Sequence, residues 1–362
     1  MDATPLALVP LAGLAIGLAF GAVIERTGFC TMGAVSDWAG LGETTRLKAW
    51  GLAIAVAIAG TQALHLAGLV DLSTSLYAGT RLGWLGHLAG GAMFGIGMTL
   101  AGGCGSRTLA RLGAGNLKSL VVVLVLGIAA YATMRGVIAP LRLHLIDPVA
   151  LPLGRPQSLP ELIAPGGTVP RMALAVAIAL ALALWALRDG RLRARPRLVL
   201  GGAATGILVT AGWCATGVMG RDDFTPLPLA SLTFVAPIGE TLMYAMLSTG
   251  TRVTFAVATC IGVVAGAALA ALAAGSFRWE GFSDRHDLAR HLLGAVLMGV
   301  GGVLALGCTI GQGITGLSTL SLGALLTIAG IVGGGALTTR YLVEGSWREA
   351  WRSLFARSDP QG

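Results

Sequence analysis

The chain has 362 residues, of which 55% are hydrophobic and 12% charged, and its mean hydropathy is +0.78. So few charges cannot coat a soluble globule of this size, which makes a lipid bilayer the solvent for most of its surface. The formal charge of +8 would suit a nucleic-acid binder, but the basic residues flank apolar runs without interleaved aromatics, so they read as positive-inside signals and exclude nucleic acid as a partner.

The N-terminus, Met1-Asp2-Ala3-Thr4-Pro5, has no basic segment and no small-residue cleavage site, so the first apolar run is expected to be a retained helix. Runs with almost no charge then cover 6–24, 50–70, 84–101, 119–134, 172–187, 198–215, 253–275, 291–307 and 319–338. Each is close to the length a spanning helix needs, which predicts about nine spans and an all-α polytopic membrane protein. A further stretch, 229–249, has Pro226 and Pro228 before it, Pro237 within it and Glu240 at its middle, and reads as a half-helix or interfacial segment. The segment 140–170, with Pro140, Pro148, Pro152, Pro156, Pro160, Pro165 and Pro170, is expected to be an outer loop without regular structure. Placing the N-terminus outside puts Arg46 and Lys48, Arg107, Arg111 and Lys118, the run Arg188 to Arg197, Arg285 and Arg290, and Arg340, Arg348 and Arg352 in the cytoplasm. An odd number of spans then leaves the C-terminus cytoplasmic.

Two Gly/Cys segments recur in the same order in each half: Gly28-Phe29-Cys30-Thr31-Met32-Gly33 and Ala101-Gly102-Gly103-Cys104-Gly105, then Gly212-Trp213-Cys214-Ala215-Thr216-Gly217 and Leu306-Gly307-Cys308-Thr309. The chain therefore divides into a first membrane repeat at 1–139, a second at 198–340, and a short cytoplasmic tail at 341–362. Between the repeats, 140–197 supplies the outer loop, one linking span and a basic cytoplasmic loop. Four spans return the first unit to its starting side, so the linking span makes the second unit start from the opposite face, inverted. Inversion places Cys30 and Cys104 towards the cytoplasm and Cys214 and Cys308 towards the outside.

Non-helical backbone at membrane depth is tolerated only where protein buries it or where it lines a polar cavity, so four such segments imply re-entrant loops around a central path. Where a loop runs into a short helix, free N–H groups and the positive end of the dipole attract an anion without a buried Lys or Arg. Gly102, Gly103, Gly105, Gly307, Gly311 and Gly313 would let backbone approach such a ligand, although glycines such as Gly13, Gly17 and Gly21 equally suit close helix packing. The five cysteines form no C-x-x-C pair and no zinc spacing, so neither metal nor cofactor is expected. Cys260, inside an ordinary apolar run, reads as a small buried hydrophobe. The other four suit brief contact with a soft sulfur; in apolar surroundings they stay neutral, whereas thiolates would repel an anion.

Trp213 beside Cys214 is a candidate lining residue. Arg107, three residues after Cys104, either draws the anion or follows the positive-inside pattern. Glu240 and Asp37 are candidate intramembrane acids, with a cap or boundary salt bridge as the alternative for Asp37. His87 and His291, near span starts, are expected at the interface. The stretch Gly113-Ala114-Gly115-Asn116-Leu117-Lys118-Ser119 lacks the glycine before lysine of a phosphate loop and follows no strand, which excludes an ATPase.

The segments Glu25-Arg26-Thr27-Gly28-Phe29-Cys30, Gly102-Gly103-Cys104-Gly105-Ser106-Arg107, Gly212-Trp213-Cys214-Ala215-Thr216-Gly217 and Gly307-Cys308-Thr309-Ile310-Gly311-Gln312-Gly313 resemble those of the YeeE/YedE family of inner-membrane sulfur transport proteins, over roughly residues 20–340. The resemblance implies thiosulfate import through two inverted repeats with short re-entrant helices. It implies S–H contacts from Cys104, Cys214 and Cys308, with Cys30 at the cytoplasmic exit and a TusA-type cytosolic sulfur carrier as a possible partner. Because family members with selenium or unknown cargo share these motifs, mechanism is implied more tightly than substrate. The competing expectation is a membrane thiol oxidoreductase or persulfide transferase using the same cysteines as low-pKa nucleophiles.

Overall fold

The computed structural model describes residues 5–163, 167–221, 227–282 and 284–355, leaving Pro165 and Pro226 outside. Helix α1 (Pro5–Thr27) ends where Gly28, at φ +67°, turns back so that its N–H reaches Ile24 O at 3.0 Å. Cys30 is extended and caps α2 (Thr31–Ser36), which runs on as a π-helical turn at Asp37–Leu41. After α3 (Thr45–Leu66) and a short strand β1 (Arg81–Leu82), α4 (Trp84–Leu100) and α5 (Gly105–Gly113) form a second broken pair, closed by α6 (Leu117–Arg135).

The linking region carries α7 (Ala139–Leu145), strand β2 (Leu151–Pro152), α8 (Leu159–Ile163), α9 (Thr168–Leu187) and α10 (Gly190–Arg193). The second half runs through α11 (Pro196–Cys214), continued by a π-helical turn at Ala215–Met219, then α12 (Val235–Met246), α13 (Phe255–Ala273) and α14 (Arg285–Leu304). A π-helical turn at Gly311–Gly316 leads to α15 (Leu322–Glu344) and α16 (Trp347–Phe355). The stretch read as a half-helix is α12, whose 12 residues rise only about 18 Å and so fall short of the hydrocarbon core.

Among the described residues, nine helical stretches are long and apolar enough to cross a membrane, from Ala7–Leu41 to Leu322–Glu344. Their outer faces suit lipid, with Leu11, Ile128, Leu180, Leu200, Ile207 and Leu269 all exposed, while Phe20, Phe94, Trp213 and Phe234 are fully buried at the centre. α1 packs on α13 and α11 on α3, α4 packs on both α15 and α14, α14 packs on α6, and α9 lies against α3.

Lipid gives helices no hydrophobic reason to associate, so these contacts depend on close backbone approach. Gly17 and Gly21 lie on the backbone of α13 at Thr259 and Val263, and Gly262 and Gly266 return the contact at Leu14 and Leu18. Gly91 and Gly95 meet Thr327 and Ile331 of α15 in the same reciprocal way, answered by Gly330 and Gly334 at Leu88 and Ala92. A side chain at any of these positions would separate its helix pair.

Two expectations need correction. The proline-rich stretch is ordered along much of its length, because its backbone finds partners far away in sequence. β2 pairs antiparallel with β1, Gln157 N–H reaches Gly79 O at 3.2 Å, and Leu159 N–H reaches Leu320 O at 2.9 Å. His87, on the first turn of α4, faces into the bundle instead of outwards, where Thr327 Oγ1 on α15 bonds its Nδ1 at 2.8 Å.

Candidate functional site

Three of the four motif cysteines stand at chain breaks that aim helix starts inwards. Before Cys104, α4 closes with bonds from Gly102 N to Thr99 O (3.3 Å) and Gly103 N to Met98 O (2.9 Å). Before Cys308, α14 closes identically, from Leu306 N to Val303 O (3.1 Å) and Gly307 N to Gly302 O (2.8 Å). In both turns the second residue past the helix is left-handed, Gly102 at φ +67° and Leu306 at +57°. Cys104 then caps α5. Cys30 Sγ accepts from Gly33 N at 3.5 Å, and Cys308 Sγ accepts from Gly311 N at 3.3 Å.

These breaks converge. The Cys30 and Cys104 thiols are neighbours, and Cys104 Sγ is 3.4 Å from Ser106 Oγ. Thr309 is a neighbour of Cys104 without bonding it, so the second half contributes to the same cluster. Cys104 and Cys308 are buried and Cys30 is half-buried. Tyr77 packs on Gly316, in the π-helical turn that follows Cys308, and stands edge-on to Trp213, with 6.1 Å between ring centroids. Trp213 Nε1 donates to Ser318 Oγ at 3.2 Å, so this ring ties α11 to the residues just past the π-helical turn at Gly311–Gly316.

Cys214 differs. It is half-buried on an uninterrupted helical run, with no chain break and no helix start beside it, so the loop expected there is absent. The glycines around it serve packing: Gly212 faces Ser231, and Gly217 faces Val70 and Leu229. All three π-helical turns among the described residues nevertheless fall beside cysteine segments, a distortion often found at functional positions.

The supporting side chains divide by charge. Arg107 Nη1 donates to Ile24 O at 3.2 Å and lies 3.7 Å from Glu25, while Arg111 Nη1 donates to Gly102 O at 2.8 Å. Both line a polar cavity of about 340 Å³ with Glu25, Lys118, Arg278 and His291. Gln312 Nε2 donates to Ala305 O (2.9 Å) and Leu306 O (3.1 Å), bracing the Cys308 turn with a neutral group. Gly311 faces Thr233, Gly313 sits between Ile328 and the Trp50 ring, and Gly105 rests on Ile238 and Phe234.

Several buried polar atoms find no hydrogen-bond partner among the described residues: Thr309 Oγ1, Gln312 Oε1, Thr31 Oγ1 next to Cys30, and Trp50 Nε1. Isolated polar atoms of this kind are costly in a protein interior and call for an occupant or a purpose. Thr31 and Trp50 were not singled out from sequence. For Thr31 a signal existed, the Cys-Thr pair that recurs at 30–31 and 308–309. Two acids lie elsewhere: Asp37 pairs with Arg46 at 3.4 Å, and Glu240 faces a separate cavity with Arg135 and Arg252.

A multi-span helical bundle with neutral, partly unpartnered polar groups at its broken helices has the character of a membrane transporter. The sulphur transport family model matches residues 26–337, and the chain belongs to that family. It is 26% identical over 360 residues to the thiosulfate transporter TsuA of Escherichia coli (strain K12), covering 94% of each chain. It is 25% identical over 353 residues to the thiosulfate transporter TsuA of Spirochaeta thermophila, covering 95% of this chain and 99% of that one. The protein is thus a transporter of sulfur-containing anions and not a thiol enzyme.

Proposed function

We propose that this transporter imports thiosulfate, the substrate named for both relatives, by handing it between neutral cysteine thiols. The observation that carries the reading is the convergence of Cys30, Cys104 and the Cys308–Thr309 turn around buried hydroxyls that lack partners. The anion enters past Cys214 and Cys308, crosses beside Cys104 and leaves past Cys30. Each S–H is a weak donor and each sulfur a soft contact for the terminal sulfur of the ion, so no site holds it long enough to stop conduction. Helix starts at Cys30 and Cys104 add positive dipole ends without fixing a full charge.

Gly102, Gly103, Gly105, Gly307, Gly311 and Gly313 shape this path, with Trp213, Thr309 and Gln312 supporting its outer part and Arg107 its inner end. Residues 1–139 and 198–340 are inverted repeats around it, joined by 140–197 and followed by the 341–362 tail. The exchange of helix partners supports this, since α1 on α13 is matched by α11 on α3, and α4 on α15 by α14 on α6. The protein sits in the inner membrane with its N-terminus outside and its C-terminus in the cytoplasm, where a TusA-type sulfur carrier is its partner. Uptake of labelled thiosulfate into liposomes carrying the protein, with sulfate and selenite as competitors, tests the substrate. Uptake that a thiol reagent blocks and sulfate does not compete away is expected; no uptake by folded protein would overturn the assignment.

A further inference from the structure

α12 packs between α6 and α13, with Ile238 and Leu242 resting on Gly127, and a hollow lies to either side of that contact. At the end where α6 stops and α13 starts, Arg135, Arg252 and Glu240 surround about 410 Å³ together with Tyr131 and Tyr244. The adjoining hollow, of about 350 Å³, has a purely apolar lining that includes Val123, Ile238, Leu242, Ile261, Val264 and Ala268. From Thr254 in the first hollow to Ala268 in the second is 14 residues of helix, a rise of about 21 Å. Thr254, Val257, Ile261, Val264 and Ala268 follow one face of α13, and half of a hydrocarbon core is about 15 Å thick, so an acyl chain lying along this face reaches from the interface to the bilayer middle.

The polar end is specific in charge. Among the described residues no ion pair joins Glu240 to Arg135 or Arg252, and all three side chains face the same space. We infer that these two hollows hold a phospholipid whose headgroup carries both a phosphate and a primary ammonium, that is, a phosphatidylethanolamine. Arg135 and Arg252 hold the phosphate oxygens by charge-assisted hydrogen bonds. The ammonium donates to the Glu240 carboxylate and lies against the Tyr131 and Tyr244 rings. A choline head keeps the positive charge but has no N–H to donate, and a glycerol head carries no positive charge, so the first offers Glu240 a counter-ion without a hydrogen bond and the second offers it no counter-ion. This assigns Glu240 a lipid-binding part, separate from the cysteine path.

Native mass spectrometry of the detergent-purified protein, titrated with phosphatidylethanolamine, phosphatidylcholine and phosphatidylglycerol of identical acyl chains, tests the inference. Phosphatidylethanolamine is expected to be retained at about tenfold lower concentration than the other two, the worth of one hydrogen bond to a charged group. Glu240→Gln is expected to reduce its retention to the phosphatidylcholine level. Ala268→Trp, which fills the apolar hollow without touching the charges, is expected to weaken all three lipids, with melting temperature confirming that each variant is folded. Equal retention of the three lipids by the wild type, or unchanged phosphatidylethanolamine preference in Glu240→Gln, would overturn it.

Discussion

The turns before Cys104 and Cys308 share one hydrogen-bond pattern and are stabilised by opposite means. The first uses Gly102 for its left-handed residue and a guanidinium, that of Arg111, for the freed Gly102 carbonyl. The second accepts a leucine, Leu306, in the left-handed region and satisfies the Ala305 and Leu306 carbonyls with the amide of Gln312. The difference follows water. Arg111 reaches a polar cavity where its charge stays hydrated, whereas Gln312 is buried, and there an ionised group would cost far more than an amide. A membrane protein can thus build the same break twice and choose its brace by depth.

Replacing the braces gives the sharpest test of that contrast. Gln312→Leu removes both amide bonds to the turn, leaving Ala305 O only the longer bond from Thr327 Oγ1 at 3.4 Å, and is expected to destabilise by about 1–3 kcal/mol, seen as a clear fall in melting temperature in detergent. Thr309→Val keeps the shape and removes a hydroxyl that has no partner, so stability should hold or rise while uptake falls about tenfold; unchanged uptake would show that this hydroxyl meets no substrate. Gly102→Leu places in the first turn the residue type found in the second. A Cβ at this position meets only Arg111 Nη1, at 3.6 Å, so the expected cost is mainly that of the left-handed backbone, about 1–2 kcal/mol. Arg111→Ala exposes its carbonyl to a cavity that water can enter and should cost about 1 kcal/mol or less, well below Gln312→Leu. Equal losses from Arg111→Ala and Gln312→Leu would break the contrast between a wet and a dry brace.

The bilayer framework was legible because it depends on runs of residues: nine charge-free stretches, and a proline-interrupted one that forms the short α12. Three cysteine turns were legible because glycines mark places where a helix stops. Cys214 was misread because Gly212 and Gly217 look the same in sequence as the turn glycines, yet they serve close packing against Ser231 and Val70. The ordered proline-rich stretch and the buried His87 escaped for another reason, since their partners, Gly79 and Leu320 in one case and Thr327 in the other, are remote in the chain. Trp50 carried no local signal at all; its unpartnered N–H becomes visible only when α3 lies beside the Gly313 turn.

The proposed relay turns on the thiol of Cys104, which has Cys30 as one neighbour and Thr309 as another. The direct measurement is thiosulfate uptake into liposomes by Cys104→Ala and Cys104→Ser, each checked for an unchanged melting temperature. Loss of uptake to background in both is predicted, because the serine keeps a donor but lacks the soft sulfur. Wild-type rates in either variant would contradict the relay.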